Sequence, residues 1–503
     1  MMASIPQLIE TINQITRKVD LNEFLNFSNL AYHKFCVLIV EDLTKDLRRE
    51  KLINVSLNVG INSRPKYLNQ IIVFFKLLLI LIKTHIQYIS FVFLFCIRNK
   101  TTNQIKNQNP NKLKYIFMPP LNQRNFELIF NLLHKESLHI YLPSSNFSFL
   151  LKVNQKNKNI NSNEFALNPA MPSAAVLLKT LKYIISKGVY IQNMIDNLRG
   201  DKRYLNFHRK IYLALVRQEW ATNVVKKIKK IVPNAIVILE NDIGGNKLAL
   251  VEELNKNNIK NIHVQHGTYF SDDIEFTPAL AKFMFCCSER EREIQIQNGY
   301  SPENLFVYGQ PLQTLKDSTS YSKNISPEFD IVILGSRGPK WRQEGLIELL
   351  SIFKSHYKDI KIQLRHDPII DETHKKYWEN AIPNVAVSKN STLFEDIQSG
   401  KIIITFSEDA LISCLKNHKK TIFCTIYNEK NAIVYNFLQK KSFIRFADTL
   451  EKLEDAINYF SSISDEDFFD MIDDEFIGYN FGISDINKIK NNFSVVLSHI
   501  YNR

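Results

Sequence analysis

The stretches Leu364-Arg365-His366-Asp367-Pro368 and Ile402-Ile403-Ile404-Thr405-Phe406-Ser407-Glu408-Asp409 each carry an apolar run into an abrupt polar stop. Short apolar runs that end this way read as buried strands of a parallel sheet. In an open α/β sheet, ligands sit beyond the carboxyl ends of the strands, where backbone N–H groups and helix N-termini receive phosphate. The two exits therefore read as walls of one phosphate site.

Outward from these exits the pattern alternates short strands with amphipathic helices, which predicts parallel sheets with crossover helices. Upstream, strands are expected at Tyr115–Met118, His139–Leu142, Ala235–Leu239, Asn261–Val264, Phe283–Cys287 and Leu305–Tyr308. Helices are expected at Asn125–His134, Ala174–Lys187, Phe207–Ile231 and Lys247–Asn257. The polar, aperiodic stretch Asn154–Glu164 reads as a loop. A second series begins with Asp330–Leu334, which runs into the turn Gly335-Ser336-Arg337-Gly338 and a helix at Gln343–His356. Strands follow at Lys361–Arg365, Val385–Val387, Ile402–Phe406, Thr421–Cys424 and Phe443–Phe446, and a last helix, Asp485–His499, is placed to cross back over the first domain. The fold class is α/β, with two Rossmann-type doubly wound domains at 112–311 and 312–503 behind a helical region at 1–111.

Composition bounds the partners. The 503 residues exceed one core and suggest two domains with an appendage. A net charge of +13 points to an anionic partner. No nucleic-acid motif stands out, so nucleotide phosphates and an anionic membrane surface are the partners expected. Six cysteines sit in apolar runs without Cys-x-x-Cys spacing or zinc-ligand histidines, the pattern of reduced, buried thiols in a cytoplasmic protein. Of 14 glycines, seven fall between Gly244 and Gly338, and that window is expected to line the cleft.

The N-terminal region holds the apolar stretch 71–97, which is long enough to span a bilayer but is interrupted by Lys76, Lys83, His85 and Gln87. Three readings stay open: a span, an interfacial helix on an anionic leaflet, and a helix of the soluble fold. No signal-peptide core precedes it, so the catalytic part is expected on the cytoplasmic face of the membrane. The Asn- and Lys-rich run 99–112 reads as a linker.

A third exit, Val264-Gln265-His266-Gly267, precedes the other two by about a hundred residues. In that order the three resemble the GT-B glycosyltransferases of bacterial surface polysaccharide, including capsule polysialyltransferases and the glycerophosphotransferases of teichoic acid synthesis. Those enzymes carry a His-Pro motif and a Ser motif in the donor domain and a Gln-His-Gly exit before it. Here the first is spaced His366-Asp367-Pro368, and the second holds one serine, Ser407. The resemblance covers roughly residues 230–430.

It implies displacement at the anomeric carbon of a nucleotide-activated sugar, with a CMP-linked acidic sugar as first donor and a surface glycan or lipid-linked molecule as acceptor. Such a reaction needs a base for the acceptor hydroxyl, groups for the departing phosphate and exclusion of water. His366, next to Arg365, titrates near neutrality and can donate to the leaving phosphate; taken alone, a strand-end histidine reads as structural. Ser407, with Glu408 beside it, opens a helix and can hold phosphate or simply cap. Gly335, Ser336 and Arg337 form either a phosphate-cradling turn or an ordinary one. Glu240 and Asp242 are the candidate bases, with Asp272 and Asp273 as rivals, and Asp residues also serve turns locally. His266 and Gly267 are placed to orient acceptor or nucleotide, against a buried structural histidine.

The one Asp-x-Asp, Asp465-Glu466-Asp467, lies in an acidic, helical surface stretch, so metal-independent chemistry and no cofactor beyond the donor are expected. Four functions follow: a sugar transferase, a CDP-polyol glycerophosphotransferase, an enzyme of the nucleotide-sugar epimerase class, and a non-catalytic glycan-binding scaffold.

Overall fold

The computed structural model describes residues 114–118, 137–141, 164–166, 172–189, 191, 205–239, 245–265, 280–309, 327–335, 359–365, 385–388, 392–426, 437–482 and 485–502, with most of 74–90. Two all-parallel sheets dominate. The first is ordered β3-β2-β1-β4-β5-β6-β7, from β1 (Tyr115–Met118), β2 (Ser137–Tyr141), β3 (Glu164–Ala166), β4 (Ile236–Leu239), β5 (Asn261–Val264), β6 (Phe283–Cys286) and β7 (Leu305–Val307). The second is ordered β10-β9-β8-β11-β12-β13, from β8 (Phe329–Leu334), β9 (Ile362–Arg365), β10 (Ala386–Val387), β11 (Gly400–Thr405), β12 (Lys420–Cys424) and β13 (Ile444–Ala447). Both grow outward from their first strand in one direction and then reverse, the doubly wound order. The expected α/β class with two Rossmann-type sheets is thus observed.

These strands read as continuous apolar runs because both faces are covered. Every residue of β4, β5, β6 and β12 is buried, as parallel sheets under crossover helices require. Gly400 opens β11 in close packing, since a Cβ there would lie 2.7 Å from Val332 Cγ2.

Segment 74–90 is helical and is designated α1. It lies beside α2 (Ala174–Tyr183, continuing as a π-turn to Gly188), α3 (Leu205–Ile231) and α4 (Gly245–Lys256). Leu77 is 2% exposed within the core that these helices form with the first sheet, and Phe74 and Leu81 pack against it. His85 Nδ1 lies 2.6 Å from the Tyr212 hydroxyl of α3. One face of the described part of the apolar stretch is therefore buried in the core of the first domain, and among the described residues no helix is long and apolar enough to cross a membrane.

The last helix (Ile486–Asn502) follows second-domain elements yet packs on the first sheet. Ile489, Phe493, Leu497 and Ile500 fall on one helical face and are all buried, with Phe493 stacked on Phe285 at 4.7 Å between ring centroids. Burial of such side chains is worth on the order of 1.5–3 kcal/mol each, an upper bound. Lys260 Nζ donates to the carbonyls of Ile500 and Tyr501 at 3.1 and 3.2 Å, closing the negative end of the helix.

Two local readings change. The stretch read as a loop to Glu164 gives way at that residue to edge strand β3, paired with β2 from His139↔Glu164 to Tyr141↔Ala166. Gly299 does not line a strand exit. It ends α5 (Glu289–Gln297) at φ +91°, with Gly299 N–H donating to the Ile296 carbonyl and Tyr300 N–H to the Gln295 carbonyl. This left-handed helix stop favours glycine and sits at the opposite end of the helix from the strand exits.

Candidate functional site

Three strand ends come level in the middle of the second sheet. Leu334 pairs with Arg365 on one side and Thr405 on the other, and Gly335 N–H donates to the Arg365 carbonyl at 2.9 Å. The strand order reverses between β8 and β11. A crevice opens at such a switch point beyond the carboxyl ends of the strands. Gly335, Arg365 and Ser407 are thereby brought to one sheet edge.

Ser407 stands before α7 (Glu408–Lys416) in the extended conformation of an N-cap, φ −118° and ψ 136°, yet its hydroxyl makes no capping bond. The turn is set by Thr405 instead. The Ser407 N–H donates to Thr405 Oγ1 at 3.2 Å, and the Thr405 hydroxyl donates to the Ser407 carbonyl at 3.2 Å. Thr405 is fully buried and Ser407 half-buried. Elsewhere among the described helices Ser173, Ser288, Thr392, Thr449, Ser464 and Asp473 all cap through their side chains. At α7, the first-turn N–H groups and a serine hydroxyl not committed to them share the edge that carries Gly335. The arrangement is suited to an anion.

Arg365 is held from the other side. Its guanidinium donates to the Thr392 carbonyl at 2.9 Å and pairs with Asp396, whose carboxylate also accepts from the Ser388 hydroxyl at 2.5 Å. Thr392 starts α6 (Leu393–Ser399) with a capping box to Glu395. Asp396 is fully buried and the Arg365 side chain is 17% exposed, so the charge of Arg365 is matched within the fold. Sequence reasoning missed Asp396; a buried acid inside a seven-residue helix leaves no periodic signature.

At the first sheet, the strand leading to the Gln-His-Gly exit is locked through Gln265. Its side-chain Oε1 accepts from Cys287 N–H at 3.3 Å and its carbonyl from the Tyr308 hydroxyl at 2.5 Å. Burial pushes the thiols of Cys286, Cys287 and Cys414 up, and that of Cys424 up to about 12, so none is a nucleophile. At the far end of α7, half-buried Lys416 is lowered to about 8 by burial, opposed by Cys287 and Glu291 of the first domain.

Glu240, Asp242, His266, Gly267, Asp272, Asp273, Ser336, Arg337 and His366 lie outside the described residues, as does the Glu408 side chain. Among the described residues no cluster of three His, Cys, Asp or Glu side chains could hold a metal ion.

No known family and no curated protein matches the chain. Solved structures do. The UDP-GlcNAc 2-epimerase of Neisseria meningitidis bound to UDP-GlcNAc is 12% identical, with 77% of this chain and 99% of that one covered and a TM-score of 0.48. The UDP-GlcNAc 2-epimerase of Methanocaldococcus jannaschii is 12% identical over the same shares, with a TM-score of 0.45. A glycosyltransferase from Rickettsia africae ESF-5 is 14% identical over 78% of this chain and 99% of that one, with a TM-score of 0.44. With every score below 0.5, the fold is defined by the two sheets and their strand orders.

Proposed function

We propose that the chain is a metal-independent glycosyltransferase of GT-B-like architecture that moves a sugar from a nucleotide donor to a glycan or lipid-linked acceptor. The observation that carries this reading is Ser407, a serine at a helix N-terminus on a sheet switch point whose hydroxyl is not used for capping. The departing nucleotide phosphate is received there, by the Ser407 hydroxyl, the first N–H groups of α7 and the backbone at Gly335. His366 delivers a proton to that phosphate as the bond to the anomeric carbon breaks. Glu240 or Asp242 takes the proton of the acceptor hydroxyl as the new carbon–oxygen bond forms. Arg365 acts as a positioning residue for the β9 exit through Asp396. The motif resemblance favours a cytidine nucleotide, and a CMP-linked acidic sugar is the donor proposed.

A thermal-shift screen of the full chain against CMP, CDP, UDP, GDP, ADP and dTDP without metal tests this, because a ligand of the native state raises its melting temperature. Stabilisation by CMP, lost in Ser407→Ala, is expected. If no nucleotide stabilises the protein, or Ser407→Ala keeps the full shift, the phosphate site is elsewhere. Stabilisation by CDP or UDP would replace the donor with a CDP-polyol or a UDP-sugar. Turnover of a UDP-sugar without an acceptor would identify an epimerase.

A further inference from the structure

The two helices that cover one flank of the first domain turn apolar side chains outward as well as inward. On α1, Leu77 and Thr84 are buried, while Phe75, Leu79, Ile82 and Ile86 are 47–65% exposed on the opposite face. On α2 and its π-turn, Val176, Thr180, Tyr183 and Ile184 are buried, while Leu178 and Ile185 are 67% and 62% exposed. The helices touch where Leu77 meets Gly188. Six of the ten exposed large apolar side chains among the described residues thus lie on these two neighbouring elements. Soluble surfaces rarely concentrate them so.

The sequence segments that carry these two helices hold charge of one sign. Residues 51–126 carry eleven Lys and Arg and neither Asp nor Glu, and residues 165–195 carry three Lys and no acid. Lys83 and Lys182 are exposed among the outward apolar residues, whereas Lys179 stands at their border and lines a cavity with Glu219, Glu252 and Glu253 of α3 and α4.

We infer that the outward face of α1 and α2 docks in the plane of an anionic lipid leaflet. The apolar residues would enter the head-group boundary while the lysines stay at lipid phosphates, the arrangement of an interfacial amphipathic surface. The opposite face of α1 is committed to the protein core and to the hydrogen bond between His85 and Tyr212, which holds the helix along the domain. A two-fold contact with a second copy would bring the same lysine-bearing faces of α1 and α2 together, so a lipid surface fits better than self-association. The inference stands on this face and its charge, independently of the transferase reading.

Vesicle flotation of the full chain tests it, using phosphatidylcholine alone and phosphatidylcholine with about one third phosphatidylglycerol. Binding to the anionic vesicles alone, weakened by salt, is expected. Leu79→Glu with Ile82→Glu, and separately Lys83→Glu with Lys182→Glu, should each lower partitioning at least about tenfold with the circular dichroism melt unchanged. Should the acidic pair fail to fold, Phe75→Trp serves instead: its fluorescence should be quenched by brominated lipid in anionic vesicles. Failure of the wild type to float, variants that float like it, or an unquenched Trp would each overturn the proposal. So would a wild-type dimer that Leu79→Glu with Ile82→Glu makes monomeric while flotation persists.

Discussion

Gly482 sits against the carbonyl of Cys287, so close that a Cβ on Gly482 would overlap that oxygen far inside van der Waals contact. The contact joins the two domains at the end of the helix Asp474–Phe481. Gly482 is also at φ +76°, left-handed backbone that disfavours side chains. Around it, the Tyr479 hydroxyl donates to Glu293, and Arg290 lies 4.3 Å over the Phe437 ring. Gly482→Ala should therefore lower unfolding stability by at least about 2 kcal/mol, through both strain and collision. Urea denaturation checks it. A midpoint equal to wild type would mean that this approach of the two domains does not hold in solution.

Ser407 separates two uses of an N-cap serine. Because no capping bond is lost, Ser407→Ala should change stability by less than about 0.5 kcal/mol, whereas Thr449→Ala, which removes the bond to Lys452 N–H, should cost about 1 kcal/mol. The ligand response should run the other way, with nucleotide stabilisation lost in Ser407→Ala and retained in Thr449→Ala. Paired thermal melts with and without CMP report both quantities. Equal destabilisation by the two substitutions would return Ser407 to a plain capping role.

These contrasts show which features the sequence carried. The exits at Leu334-Gly335, Arg365 and Thr405 to Ser407 were legible because an apolar run buried on both faces stops only where the sheet stops. The last helix was legible for a similar reason: Ile489, Phe493, Leu497 and Ile500 repeat at helical spacing and fill one core. Helix α5 was not legible. Its sequence Glu-Arg-Glu-Arg-Glu-Ile-Gln-Ile-Gln has no apolar stripe, and it buries Glu291 and Gln295 instead, started by the bond from Glu291 N–H to Ser288 Oγ. The spare hydroxyl of Ser407 was equally hidden, since it depends on Thr405 taking over the turn.

The pair formed by Arg365 and Asp396 should behave as a structural unit. Arg365→Ala leaves a buried carboxylate uncompensated and should cost about 3–5 kcal/mol, with Asp396→Ala similarly severe. Arg365→Met combined with Asp396→Leu removes both charges and should recover much of that loss. If the folded double variant still responds to nucleotide, Arg365 positions the β9 exit without contacting substrate. Loss of nucleotide binding in a double variant of wild-type stability would instead make Arg365 a direct ligand.

His208 gives the first domain a pH dependence of defined sign. Its Nδ1 lies 2.9 Å from the Tyr183 hydroxyl inside the core shared with α1 and α2, and burial lowers its pKa to about 3. The folded state thus holds the ring neutral down to about pH 3, while the unfolded chain takes up a proton near pH 6.5. The contribution of His208 is complete above about pH 6.5 and is lost as pH falls below it, by up to about 1.4 kcal/mol per pH unit. Carboxylates such as Asp330, whose pKa is lowered by hydrogen bonds from Lys401 and the Lys361 N–H, add their own acid loss at lower pH. The informative quantity is therefore the difference between wild type and His208→Gln. Urea midpoints at pH 7.5, 6.0 and 5.0 should converge as pH falls, because the variant has no imidazole to protonate on unfolding. A gap that stays constant across this range would mean that His208 is as readily protonated folded as unfolded.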